Sequence, residues 1–171
     1  MWNSKTKRVL IILGVTACLY VFIWGMNADL RYTPFCKKLG GVTGASATTL
    51  WKEPYTYSVC KPAFLSFTGN LGISETSSNS HETTADIVIW PQGISNYEVR
   101  LDIFVPVQVD EYSSHHVAKS MMLDQNMKLL EDTPENVELY EQNLDKIENL
   151  YHKAYEMWGI LGSEQYRQPP V

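Results

Sequence analysis

The densest group of side chains able to do chemistry is Asp110-Glu111-Tyr112-Ser113-Ser114-His115-His116. Two imidazoles beside two carboxylates are the donor types of a divalent-metal site, and a metal-dependent hydrolase could be built on them. The spacing argues otherwise. Neighbouring positions on a helix diverge by about 100°, so His115 and His116 would not both face one ion. The plainer expectation is a helix start capped by Ser113 or Ser114, with both imidazoles solvated in its first turn. His81 and His152 show no carboxylate partner by spacing. A phosphate loop, a dinucleotide fingerprint, a zinc-protease helix and a Gly-X-Ser-X-Gly elbow are all absent from the sequence. The reading is therefore a non-enzyme with no catalytic residue, no metal and no cofactor.

Carboxylates recur at helical spacing in Glu138, Glu141, Asp145 and Glu148, with Lys146 and Lys153 as the nearby bases. At intervals of three and four these acids share one helix face. Such a face is either simply solvated or recognises a basic protein, because concentrated negative charge steers cationic partners.

Cys36 and Cys60 read as one disulfide, closing a loop of 25 residues. The chain-entropy model gives such a loop about 3 kcal/mol. The bridge would anchor the Gly/Ala/Ser/Thr-rich stretch 40–49, which offers little apolar surface of its own. A separation of 24 positions is no metal spacing. The third thiol lies in Val15-Thr16-Ala17-Cys18, which resembles the lipobox of bacterial lipoproteins and so implies lipidation at Cys18. The following Leu19–Trp24 run departs from the polar tether usual there, and a small thiol within a membrane helix is the favoured alternative.

These groups need elements to hold them, and the first element is the plainest. Lys5, Lys7 and Arg8 precede an uncharged run from Val9 to Met26. As a helix its 18 residues would rise about 27 Å, close to a hydrocarbon core of about 30 Å. Tyr20 and Trp24 sit toward its far end, where amphipathic rings favour the interface. The run is longer than a signal-peptide core, and Met26-Asn27-Ala28 is a poor cleavage site, so an uncleaved signal-anchor is expected. The positive flank places residues 1–8 in the cytoplasm and 27–171 across the membrane. No Asn-X-Ser/Thr sequon occurs, which tilts the expectation to a bacterial inner membrane and a periplasmic domain.

Within 27–171, Tyr55, Tyr57 and Val59 alternate with polar residues, Ala63–Thr68 is a short aromatic-rich run, and 74–84 is a polar loop. Ile87–Trp90 is a brief apolar strand. From Tyr97 to Val109 every odd position is apolar, the mark of a sheet strand with one buried face. Pro106 demands an edge or bulge there. Ser114–Glu131 has helix-forming composition and three Met. After Thr133-Pro134, a cap followed by a first-turn proline, an apolar stripe runs Val137, Tyr140, Leu144, Ile147, Tyr151, Ala154, Trp158, Leu161. Leu139, Leu150, Tyr155 and Met157 widen it, either to touch two neighbours or to form a self-association surface.

Across 171 residues the formal net charge is −5, which does not suggest nucleic-acid binding. Residues 27–109 are nearly balanced, with 7 acidic and 6 basic side chains, while 110–164 carry 12 and 4. The expected architecture is α+β: a transmembrane helix, a small antiparallel sheet and a C-terminal antiparallel helix pair. The expected role is a membrane-tethered, extracytoplasmic protein-binding module, either an envelope-assembly component or an inhibitor or immunity-type protein. A self-associating structural subunit is the alternative, and the metal hydrolase a distant third.

Overall fold

A computed structural model describes residues 3–41, 46–64, 66–77, 82–92, 96–108 and 114–162, except the side chains of Gln108, Ser114 and His115. The fold is α+β, with a long N-terminal apolar helix, a six-stranded antiparallel sheet and two C-terminal helices. Helix α1 runs from Ser4 to Lys38, with Asn3 accepting from the Lys5 N–H at its start. At about 52 Å for 35 residues it outruns any bilayer core, so it has two parts. No residue of the apolar part is buried. The later part presents Ala28, Tyr32 and Cys36, four apart on one face, to the core.

The strands β1 (Ala47–Lys52), β2 (Tyr55–Cys60), β3 (Asn70–Thr76), β4 (Thr83–Gln92), β5 (Asn96–Gln108) and β6 (Ser114–Asp124) form a simple meander in chain order. Register follows from burial, since a slip of one residue would turn every apolar side chain to the wrong face. One row, Val59, Leu71, Ile89, Val99 and Leu123, crosses five strands. The next, Tyr57, Ile73, Ile87, Leu101 and Met121, lies beside it, and both rows are buried. Helix α2 (Pro134–Gln142) and helix α3 (Leu144–Trp158) follow, and α3 buries Ile147, Leu150, Tyr151, Ala154 and Trp158 in the same core.

Three expectations change. Ser114–Glu131 is not a helix: its first part is β6, paired with β5 from Glu98 to Gln108. Hydrogen bonds to a long ready-made strand outweigh helix propensity, which is worth only tenths of a kcal/mol per residue. The strand ends where the Asp124 carboxylate accepts from the Asn126 and Lys128 N–H groups, each at 2.8 Å, and Met127 turns the chain at φ 67°. The C-terminal helix pair is thus α2 and α3. The long stripe is broken at Asn143, whose side-chain amide donates to the Leu139 carbonyl while its own N–H turns to Tyr140. Finally, Ala63, Phe64 and Phe67 of the aromatic-rich run lie outside the sheet, in the β2–β3 connection against α1.

Leu139 and Leu150 are inside and Met157 is partly buried against the core, so this width serves packing between sheet and helix. Pro106 pairs with His116 beyond Ile103, the last β5 residue with a β4 partner; its missing N–H therefore costs no ladder bond on that side.

Candidate functional site

The four predicted acidic side chains are distributed along α2 and the start of α3, two on each helix, as an acidic ridge. Thr133 caps α2 by accepting from the Asn136 N–H at 3.2 Å, with Pro134 in the first turn. Glu138, Glu141 and Asp145 are exposed and Glu148 is half-buried. Glu138 accepts from Gln142 Nε2 at 3.0 Å, and Glu135 meets Lys119 at 3.3 Å. The two lysines expected to offset the ridge do not. Lys146 reaches toward Glu75 at the end of β3, 4.0 Å away, and Lys153 pairs with Glu156 at 2.7 Å. Among the described residues no ion pair engages Glu141, Asp145 or Glu148. The Lys153 ammonium also holds the Glu156 carboxyl below the usual carboxylate range.

Of the group 110–116, residues 110–113 and the His115 side chain lie outside the described residues. His116 sits on β6 rather than in a helical first turn, with Nε2 3.6 Å from Glu82 of β4's approach. No group of three His, Cys, Asp or Glu side chains converges on one point among the described residues. His152 does have a carboxylate partner, Glu156, one helical turn on at 3.1 Å; the i,i+4 spacing carried that signal.

Cys18 is exposed on the apolar part of α1. Cys36 and Cys60 are free thiols, the first buried on α1 and the second half-buried at the end of β2, so the expected bridge is not formed here. Backbone hydrogen bonds hold Gly41 and Ser46 within the stretch it was to anchor. Gly41 N–H donates to the Cys36 carbonyl at 2.9 Å, and Lys61 N–H to the Ser46 carbonyl at 2.8 Å. A Cβ at Gly41 would collide with Thr48 of β1, so the chain there passes as close as a glycine permits.

A polar row on the sheet's other face was not anticipated. Ser74, Asp86, Asp102 and Ser120 are successive partners on β3 to β6. Ser74 donates to Asp86, Ser120 to Asp102, and Arg100 Nε reaches Asp102 at 3.0 Å while stacking on Trp90. Asp102 is only 6% exposed. Burial pushes the Asp86 carboxyl up, with the Ser74 bond opposing and the Asp102 charge adding to the rise. The alternation of β5 placed Asp102 on this face, but only strand order reveals that its neighbour is a second aspartate.

No family model, no curated protein and no solved structure matches this chain.

Proposed function

We propose that this protein is a single-pass, membrane-tethered binding module that presents the α2–α3 ridge to a basic protein partner. One observation carries the reading: both lysines on α3 are drawn away from the ridge, to Glu75 and Glu156, leaving its carboxylates to act outward. Uncompensated surface charge of one sign accelerates encounter with an opposite surface and makes binding salt-sensitive. The apolar helix α1 supports the tether, being long and apolar enough to cross a membrane. Lys5, Lys7 and Arg8 support a cytoplasmic N-terminus, and with it an exported domain at a bacterial inner membrane.

The test compares the full-length chain with a Glu138→Gln/Glu141→Gln/Asp145→Asn variant, both crosslinked in native membranes at low and high salt. A crosslinked partner that is basic, lost at high salt and lost in the variant is the expected result. A partner retained equally by the variant would remove the ridge from the proposal.

A further inference from the structure

The connection between Lys61 and Gly69 lies along α1 over the residues that end its apolar run. Trp24 Nε1 donates to the Ala63 carbonyl at 3.0 Å, and Asn27 Nδ2 to the Phe67 carbonyl at 3.3 Å. Two edge-to-face pairs join the same segments: Trp24 with Phe64, ring centroids 5.3 Å apart, and Tyr20 with Phe67 at 5.4 Å. At the two ends of the connection, Lys61 meets Asp29 at 3.0 Å and the Gly69 N–H donates to the Tyr32 hydroxyl at 2.8 Å. The ends therefore sit level with Asp29 and Tyr32, whereas between them the backbone meets Trp24 and Asn27 and the Phe67 ring reaches on to Tyr20.

That reach has a physical consequence. Asp29 is the first charge after the apolar run, and nine residues of helix put Tyr20 about 13 Å below it. If Val9–Met26 occupies the hydrocarbon, the Phe67 carbonyl, bonded to Asn27, lies at its edge and the Phe67 ring reaches inward toward Tyr20. The connection suits that depth. No charge occurs from residue 62 to residue 74, and Phe64 remains 66% exposed even after packing on Trp24. Around Trp24, the exposed flank of α1 at Val21, Phe22 and Met26 continues the apolar surface. Exposed aromatic rings beside indole and phenol groups at one height form the belt that favours the lipid headgroup boundary.

We infer that the Lys61–Gly69 connection is a second membrane contact, with Phe64 and Phe67 seated in the bilayer interface beside Tyr20 and Trp24. The occupant of this apolar surface is lipid, because the surface is continuous with the apolar flank of α1. The domain is thereby held at a fixed angle on the membrane instead of swinging on a linker, which also fixes where the acidic ridge points. The inference rests on α1 spanning the membrane, as proposed above.

A photo-crosslinking benzoylphenylalanine placed singly at Leu13, Trp51 or Phe64 of the full-length chain, in phosphatidylcholine nanodiscs, separates the two readings. All three side chains are exposed, so each replacement leaves the core intact. Lipid adducts at 13 and 64, with yield at 64 roughly tenfold above that at 51 on β1, are expected for an interfacial seat. Adducts at 13 but none at 64, an adduct at 64 to a second copy of the chain, or equal yields at 51 and 64 would overturn the membrane seat while leaving the span intact. Absence of adducts at 13 would overturn the span itself, and the seat with it.

Discussion

Asp86 and Asp102 are direct neighbours across β4 and β5, yet only Asp102 has a guanidinium against it. The carboxyl of Asp86 is raised from its ordinary value of 3.8, chiefly by burial. A raised carboxylate favours the neutral form in the folded state, so its contribution is present at acid pH and is lost as pH rises through the folded value. Asp86→Asn removes that loss while keeping an acceptor for Ser74. The variant is expected to melt higher than the parent at pH 7–8 and at the same temperature near pH 3.5, by thermal unfolding in detergent. A lower melting temperature at neutral pH would show that the Asp86 charge is favourable where it stands.

At the scale of elements, the fold depends on how α1 is fastened to the β2–β3 connection. The Tyr32 hydroxyl takes the Gly69 N–H and donates to the Gly69 carbonyl at 3.2 Å, both inside the core. No side chain fits at 69, where a Cβ would fall 2.3 Å from the Cys60 carbonyl and 2.8 Å from the Tyr32 ring. Tyr32→Phe leaves a buried N–H and carbonyl unpaired and is expected to cost about 1–3 kcal/mol in urea titration of the full chain. The thiols supply a second test. As free groups they differ, Cys36 packed in the core and Cys60 only half-buried, so Cys36→Ala is expected to lower stability more than Cys60→Ala. Equal and large losses, abolished by reductant, would instead identify a functional bridge.

For the whole molecule, one continuous helix carries both the apolar run and part of the core of the domain. Its last side chain is tied onward: Lys38 Nζ donates to the Trp158 carbonyl at 2.8 Å, where α3 ends at Gly159 in the left-handed conformation. The helix that carries the apolar run thus also supplies residues 28, 32 and 36 to the core. An alkaline phosphatase domain joined after Val171 is expected to be active in a bacterial host, and a cytoplasmic reporter at the same place inactive. The reverse pattern would relocate the acidic ridge to the cytosol and remove the oxidising compartment from the account.

The apolar run of α1, the strands β2 and β5 and the stripe of α3 were legible in the residues alone, since hydrophobic length and period record which face must leave water. Glu138, Glu141 and Asp145 were likewise legible as an exposed face, being polar positions that flank that stripe. Three things were decided only by tertiary structure. Residues 114–124 became a strand because β5 offered them a partner along its length, although Asp124-Gln125-Asn126 already carried the chemistry of a turn. The aromatic run after Cys60 left the sheet because Trp24 and Tyr20 gave its rings edge-to-face partners on α1. Lys146 and Lys153 left the acidic ridge because their carboxylate partners lie elsewhere, across the core on β3 for one and one turn along α3 for the other. Local pattern fixes which side of an element seeks burial; which neighbour satisfies it depends on contacts between residues far apart in the chain, and these no short window of sequence contains.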